Sequence, residues 1–575
     1  MRRLSVTLLV LGFATPAKAA WPTTTTVDVP VANVDDSQAP SVVADSTGGA
    51  YVIFSHSDST SSKSVRGEHF DAAGDRLWST ATDAGGYVGR DLLGMPIGTG
   101  VAGFSQAVSD TLGGFIVGYT PGENGGPYTL SVQRFNDTPT ASWTPTGTFG
   151  GVQLLANPDY YSSFWMIADG AGGALLNEIG ATSGGVVGQR VNGSGALEYG
   201  TGYVFTGSQY PGPFYPTLFV SNDGQGGMYF IYPPSGSESV DPVINYLTPT
   251  GSLNFTVPSV APANTSFEQW SISGLPTGAG VWATWYQYNS PSSSDLLLQR
   301  FTSTGASGLD GGADNGVVAA SVTTESPSPQ LISDGAGGVV EVWFDVTSGV
   351  NVIYAQRFGA DGTPKWGTSP VLIPSAATTP VPTSGYLSCF RVVPTHDQNV
   401  AIFWVGTPNG IFAQKIDMAS GATQWGTVPG GIQVSAATSP AWVDATFATD
   451  DSAYVAYQLG NDVFVKHVEP DGTLGPTPAV SDAGPSEEGG ALDGGADTGT
   501  MDTGTSSADA QVGEDSGGHG PMGSDGSAQG DGGVTTGKSS GCSCRIQGVA
   551  STNVPWRPVG LGLVVLVLGR RRRRR

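Results

Sequence analysis

The chain has 575 residues, of which 86 are glycine and 39 are proline. Its 48 acidic and 24 basic residues give a formal charge of −24, which argues against nucleic-acid binding because that function needs a basic face. The hydrophobic content of 39% is too high for a wholly disordered chain, and three cysteines are too few for a disulfide framework.

Residues 1–19 have the pattern of a secretory signal peptide. Two arginines precede the apolar run 4–13, and Ala17 and Ala19 supply small residues at the −3 and −1 positions of a cleavage site. A short buried helix is the competing interpretation of this run, and the arginine pair also fits a twin-arginine export signal. We predict that residues 1–19 are removed and that the protein is exported.

Residues 21–480 contain a unit that recurs eight times. Its first marker is an aspartate followed three or four residues later by Gly-Gly. Clear copies of this marker begin at Asp45, Asp110, Asp169, Asp223 and Asp334, and degraded copies lie near Gly278, Asp397 and Asp450. Its second marker is a Gln-Arg-Phe-like site, occupied at His69, Arg134, Arg190, Tyr246, Arg300, Arg357, Lys415 and His467. The second marker is spaced by 65, 56, 56, 54, 57, 58 and 52 residues. Because both markers keep one period of about 57 residues, we interpret the body as a true repeat.

Each repeat has the pattern of four short strands. Runs of β-branched and aromatic residues alternate with Gly-, Ser- and Asp-containing turns, and no segment of the body keeps helical periodicity for three turns. A four-stranded sheet with two apolar faces needs a neighbour on each side, and radial packing provides one. We predict an all-β fold, a β-propeller of about eight four-stranded blades. Seven blades plus an irregular unit, or an open β-solenoid, are the alternatives.

The N-terminal run 26–31 resembles the fourth strand of a repeat, such as the run 371–373. A strand from the beginning of the chain can fill the empty fourth position of the last blade. We therefore predict that this run completes the last blade and closes the ring.

Residues 481–540 have the composition of a disordered linker. Gly, Asp, Ser, Thr and Ala dominate, and the stretch includes eleven acids and one lysine. Such a stretch buries too little apolar surface to offset the entropy of ordering. The run 492–497 resembles a calcium-binding sequence, but it lacks the Asp-x-Asp-x-Asp-Gly loop and its later glutamate. We predict a flexible acidic spacer.

Residues 541–575 combine a cysteine pair, an apolar run and a basic end. Cys542 and Cys544 precede the run 559–568, and Arg570 and Arg571 begin six terminal arginines. As a helix the ten-residue run extends only about 15 Å, half of a bilayer core, and basic residues prefer the cytoplasmic side. Half of a metal site is the competing interpretation of the cysteine pair, but no His or Cys lies close enough in sequence to complete four ligands.

This tail resembles the MYXO-CTERM sorting signal of myxobacterial surface proteins. The resemblance covers residues 541–575 and implies an envelope protease as a partner, association with the membrane through the short C-terminal helix, and retention on the cell surface or release from it. It also implies that Cys542 or Cys544 marks the region of processing and attachment.

Few residues of the body suggest chemistry. His69 and His467 occupy the recurrent arginine site, His396 lies in a degenerate turn, and His56 has no visible partner. We expect the repeat-phased arginines to be structural, the recurring aspartates to bond their own turn backbones, and Cys389 to be a buried small hydrophobe. The turn at Asp361 faintly resembles a sialidase Asp-box without its spacing. We predict no catalytic, metal or cofactor site.

The leading hypothesis is an exported, surface-retained, non-catalytic module that binds protein or glycan. Aromatic residues outside the repeat pattern are candidate contacts, namely Tyr160, Tyr161, Tyr210, Tyr286 and Tyr288, and ordinary loop packing is an equally strong interpretation of them. The alternative is a secreted polysaccharide- or peptide-cleaving propeller enzyme, which requires out-of-phase acidic or His residues to converge at one mouth of the propeller. A passive structural role is a third hypothesis.

Overall fold

The computed structural model describes residues 21–475 apart from connecting segments, the longest of which are 79–86, 206–218, 233–242, 258–268 and 381–389. The predicted signal peptide, linker and sorting tail therefore lie outside the described residues. So do the individual residues Ala17, Ala19, Tyr160, Tyr161, Tyr210, Cys389, Cys542, Cys544, Arg570 and Arg571.

The described part of the chain forms strands and turns, without a helix. Its first strand, β1 (Val29–Ala32), belongs to the last blade. Blades 1 to 4 then follow in chain order: β2 (Asp36–Ala44), β3 (Ala50–Ser57), β4 (Ser62–Phe70), β5 (Arg90–Asp91) and β6 (Gly98–Thr99); β7 (Ser105–Ser109), β8 (Phe115–Tyr119), β9 (Tyr128–Phe135) and β10 (Val152–Asn157); β11 (Ser163–Ala168), β12 (Ala174–Ile179), β13 (Val186–Val191) and β14 (Tyr203–Phe205); β15 (Phe219–Asn222), β16 (Met228–Tyr232), β17 (Val243–Leu247) and β18 (Leu253–Val257).

Blades 5 to 8 continue the same order: β19 (Gln269–Thr277), β20 (Gly280–Ser290), β21 (Ser293–Thr302) and β22 (Val317–Val322); β23 (Gln330–Ser333), β24 (Val339–Thr347), β25 (Val350–Phe358) and β26 (Val371–Leu372); β27 (Thr379–Pro380), β28 (Phe390–Pro394), β29 (Val400–Thr407), β30 (Gly410–Ile416) and β31 (Ile432–Ser435); β32 (Ala441–Phe447), β33 (Ala453–Leu459) and β34 (Asp462–Val468). All pairings are antiparallel, and the extra strands β6 and β27 pair with β4 and β29. The prediction of eight four-stranded blades is confirmed.

The first strands of the blades form a closed ring. Each contacts the first strand of the next blade, from β2 through β7, β11, β15, β19, β23, β28 and β32 back to β2. These eight strands therefore surround the central channel of a β-propeller. The hydrophobic core lies between adjacent sheets, as where Val342 and Ile353 of blade 6 pack with Phe390 and Trp404 of blade 7.

The N-terminal segment closes the ring, as predicted. Strand β1 pairs with β34 as the fourth strand of blade 8, with Val29 opposite Val465. The buried Lys466 Nζ lies 3.1 Å from Asp28 Oδ1 and donates a 2.8 Å hydrogen bond to the Thr24 carbonyl. Trp21 stacks on His467 at 5.5 Å, and its indole N–H donates to the Ala72 carbonyl of blade 1. Both ends of the repeat region are therefore joined within one blade.

The antiparallel order gives each blade two different ends. Connections between the first and second strands and between the third and fourth strands lie at one end, which we call the turn end. The remaining connections, including those between blades, lie at the opposite end, which we call the loop end.

Candidate functional site: the central channel

The recurring aspartates bond their own turns at the turn end. In blade 6, Asp334 Oδ1 accepts hydrogen bonds from the backbone N–H groups of Ala336 and Gly338, both at 2.8 Å. A Cβ atom at Gly338 would lie 2.2 Å from the Phe358 carbonyl oxygen, so the turn requires glycine there. The same two bonds recur at Asp45, Asp110, Asp169 and Asp223. The predicted structural role of these aspartates is confirmed.

The second oxygen of each aspartate binds the second marker of the repeat. Arg357 Nη2 lies 3.0 Å from Asp334 Oδ2, whose side chain is 1% exposed. Equivalent contacts join Asp110 to Arg134 at 2.8 Å, Asp169 to Arg190 at 3.0 Å, Asp45 to His69 at 2.7 Å and Asp223 to Tyr246 at 2.6 Å. Lys415 pairs instead with Asp397 at 2.7 Å. The two markers, which sequence analysis treated separately, are therefore one contact, and most of the repeat-phased charges are paired within blades.

The residue before the arginine site ties the blades together through a tryptophan. In blade 2, Gln133 Oε1 accepts hydrogen bonds from the backbone N–H groups of Arg134 and Trp143 at 2.9 and 3.0 Å. Trp143 Nε1 then donates to the Gly193 carbonyl of blade 3 at 3.0 Å. Trp366 and Trp425 make the same inter-blade bond.

The remaining histidines are separated. Burial lowers the pKa of His467 to about 4, so its ring is neutral at pH 7. The exposed His396 lies 3.5 Å from Asp451 at the turn end. His56 lies near the loop end of blade 1, where its Nδ1 is 3.0 Å from Ser37 Oγ, and both residues are buried. Histidines therefore do not converge on one place among the described residues.

The wall of the channel carries a set of side chains that link one blade to the next. We call Gln106, Gln330, Arg391 and Asp444 the channel girdle, because each lies on a first strand opposite the fourth residue of its blade's second strand. Gln106 bonds both the N–H and the C=O of Met166 at 3.0 and 3.2 Å, and Gln330 bonds the Val392 N–H and the Phe390 C=O at 3.0 and 2.9 Å. These amides continue the backbone ladder across blade boundaries.

The girdle is charged only where blades 7, 8 and 1 meet. Arg391 Nε lies 3.1 Å from Asp444 Oδ1, and the other oxygen of Asp444 accepts a 3.0 Å hydrogen bond from the Val42 N–H. The Arg391 side chain is 53% exposed, whereas that of Asp444 is 18% exposed. This pair was not predicted from the sequence. An alignment of the eight repeats shows a polar residue at each of these girdle positions, but it does not show that Arg391 and Asp444 are in contact.

The same wall holds strained backbone. Trp442 has φ of 50° in β32, next to an irregularity between Ala441 and Val443. In blades 1 and 6 the same position of the repeat holds Ala39 and Ser328, with φ of 51° and 44°. A non-glycine residue in this region is uncommon and costs about 1–3 kcal/mol. Ala39 and Trp442 therefore mark equivalent irregularities in β2 and β32, and Ser328 has the same positive φ two residues before β23.

One carboxyl group replaces an apolar core residue. Glu341 is fully buried, and one of its oxygens accepts a hydrogen bond from the Thr284 hydroxyl of blade 5, whereas Oε2 has no hydrogen-bond partner. Burial raises the pKa of Glu341 to about 8, and the Thr284 hydrogen bond lowers it in part. Other blades place Val52, Val117 and Ile402 at this position. Glu341 is therefore an isolated protonated acid at neutral pH.

Two other acids outside the repeat pattern bond residues at the C-terminal end of β22. Asp295 in blade 5 accepts a 2.8 Å hydrogen bond from Ser321, and Asp345 in blade 6 accepts 2.9 and 3.0 Å hydrogen bonds from the backbone and side chain of Thr323. Within the described residues, no group of three or more His, Cys, Asp or Glu side chains is arranged to hold a metal ion. In that same part of the chain, no helix has the length and apolar character to cross a membrane.

One expected contact residue is buried. Tyr286 is 2% exposed, and its hydroxyl is 2.8 Å from Ser294 Oγ. The reason is that Tyr286 packs with Leu296 and Val322 of its own blade and with Trp343 of blade 6. The prediction that Tyr286 is an exposed ligand contact is therefore wrong, and the side chain of Tyr288 lies outside the description.

Comparisons with known proteins add no family. No protein-family model matches the chain, and no curated protein matches it. An ulvan lyase is similar in structure at a TM-score of 0.34 and 10% identity, over 80% of this chain and 98% of that one. A eukaryotic initiation factor gives 0.37 and 11%, over 79% and 94%, and an endo-arabinase from Bacteroides thetaiotaomicron gives 0.26 and 12%, over 44% and 93%. The strand order described above, and not these likenesses, establishes the propeller.

Proposed function

We propose that this protein is an exported, surface-retained, non-catalytic propeller that binds a protein or glycan ligand. The observation that carries the proposal is the division of its polar residues. Charges that follow the repeat are mostly paired with one another inside blades, whereas Arg391 and Trp442, which differ from the residues at the same positions of other blades, belong to the first strands that surround the channel. A wall that varies on a constant scaffold suits recognition.

Export and surface retention rest on the sequence. The signal-peptide pattern of residues 1–19 and the sorting-signal resemblance of residues 541–575 support both, and the acidic linker 481–540 would hold the propeller away from the envelope. The non-catalytic part rests on the sequence, in which no nucleophile elbow, zinc spacing or phosphate-binding glycine loop is found.

A binding screen tests this function. Purified full-length protein is immobilised and exposed to a panel of glycans and to envelope proteins from a myxobacterium. We expect saturable binding to at least one member, which must be lost when the protein is unfolded. Absence of saturable binding across both panels would contradict recognition and favour the passive structural role.

Hydrolysis is the second candidate, and the Ser37–His56 hydrogen bond of 3.0 Å is the observation that favours it. A serine activated by histidine is a common nucleophile. Ser37, however, is 0% exposed, and a nucleophile has to reach its substrate. This candidate would be established if the native protein turned over a screened ligand, if Ser37→Ala abolished that turnover, and if Ser105→Ala on the neighbouring blade retained it.

A further inference from the structure

Arg391 differs from the other ion-paired cations of the described residues. Arg134, Arg190 and Arg357 are 14–21% exposed and face carboxylates that are at most 1% exposed. The Arg391 side chain is 53% exposed, which is more than the 41% of Lys365, the other half-exposed arginine or lysine among these ion pairs. It also falls outside the second marker of the repeat. A structural role in a blade therefore does not account for its exposure.

Among the described residues, the guanidinium of Arg391 has an ion-pair partner along its Nε edge only. Its Nε faces Asp444, which is itself fixed by the Val42 N–H, so the ion pair is anchored to the backbone of blade 1. The two terminal nitrogens lie at the far end of the guanidinium, and β28 borders the channel. This edge is the fork that binds a carboxylate through two parallel hydrogen bonds. A pre-oriented fork loses little side-chain entropy when it binds.

An aromatic residue lies near Asp444 on the same first strand. Trp442 precedes Asp444 by two residues in β32 and is partly exposed. Since Ala39 and Ser328 occupy the equivalent position with the same backbone conformation, the fold does not require an aromatic ring there. An indole face packs against the C–H groups of a pyranose ring, and sites of this kind combine such a surface with a few polar groups.

We propose that the channel wall of blades 7 and 8 binds a uronic-acid residue of a glycan, with Arg391 bonding the carboxylate and Trp442 packing on the sugar ring. This inference rests on the recognition function proposed above and specifies its ligand. Asp444 acts as a positioning residue, because it holds the guanidinium and not the ligand. The overall negative charge disfavours anions at long range, but at physiological salt that field is screened within about 8 Å.

Calorimetric titration of the full chain with a matched pair of ligands tests the proposal. Tri-galacturonate and its fully methyl-esterified form share the same rings and differ in their carboxylate charges. We expect the acid to bind roughly tenfold or more tightly than the ester, because the ester cannot accept the charge-assisted fork. Arg391→Gln should remove this difference, Arg391→Lys should lose most of it, and Trp442→Ala should weaken both ligands.

Lys365→Gln is the matched control, since Lys365 is a half-exposed, ion-paired cation at the turn end. It should bind both ligands as the native protein does, and circular dichroism spectra should show that every variant is folded. Equal binding of acid and ester, or native affinity in Arg391→Gln, would overturn the uronate site and leave the recognition function standing. Acetate binding as tightly as the trisaccharide would also overturn it, by assigning the fork to small carboxylates. Failure of both sugars overturns the uronate site, and the wider screen then decides recognition separately.

Discussion

Replacing Glu341 by glutamine should change how stability depends on pH. Glu341 is fully buried at the contact between blades 5 and 6, and its only hydrogen bond within the described residues comes from Thr284. Burial favours the neutral carboxyl group, so its pKa is about 8 in the folded protein against an ordinary value of 4.5. Between these two pH values the folded state holds a proton that the unfolded state releases.

The difference of 8 − 4.5 = 3.5 pKa units corresponds to about 5 kcal/mol at roughly 1.4 kcal/mol per unit. The stability is fully present below pH 4.5, falls as the pH rises to 8, and is constant above that value. Glutamine has no such dependence, but its amide has two unpaired N–H donors where the neutral carboxyl group has one unpaired O–H, and the additional donor costs about 1–3 kcal/mol at every pH. The variant should therefore be less stable than the native protein at pH 4 by about 1–3 kcal/mol and more stable at pH 9 by about 2–4 kcal/mol.

Urea unfolding followed by tryptophan fluorescence at pH 4, 6.5 and 9 measures this crossing. Asp361→Asn is the control. Its pKa is lowered to about 2 by a hydrogen bond from the Thr363 side chain, so its contribution changes only in acid, below about pH 4. A difference between Glu341→Gln and the native protein that stays constant from pH 4 to pH 9 would refute the reasoning.

Three other changes test separate parts of the structure. Arg357→Met leaves the buried Asp334 without its cation and should lower the free energy of unfolding by about 3–5 kcal/mol. Lys365→Met, at an exposed ion pair, should lower it by at most about 1 kcal/mol, and equal losses of stability in urea unfolding would contradict this. Lys466→Met removes the contacts to Asp28 and Thr24, so the rate of hydrogen exchange should rise in residues 24–32 more than in blade 4. An equal rise in both places would argue against closure of the ring by the N-terminal segment. Intact-mass measurement of surface-located protein should find a chain without Arg575, and its presence there would defeat the sorting prediction.

The repeat made most of the fold predictable. Asp334 and Arg357 mark the same positions in several units, and the run 26–31 resembles a fourth strand, so the blades and the ring closure follow from local patterns. The bond between Asp334 and Arg357 was not predicted, because it depends on the turn that directs Oδ2 away from its own backbone. Periodicity along a chain locates strands, but it does not orient side chains.

The channel shows where sequence reasoning stops. Arg391 and Asp444 are 53 positions apart, and the equivalent positions of blades 2 and 6 hold Gln106 and Gln330, so no common residue type marks the girdle. The contact exists only because the ring brings two first strands together. The prediction for Tyr286 was wrong for a related reason, since its ring packs against Trp343 of the next blade, a contact that the sequence of one repeat does not show.

The central claim is that this propeller recognises a ligand without transforming it. Its most direct test is prolonged incubation of the native full-length protein with a ligand that it binds, followed by mass spectrometry of the whole ligand pool. We predict that the ligand is recovered intact while binding remains saturable. Product exceeding one molecule per protein molecule, and absent when Ser37 is replaced by alanine, would contradict the claim.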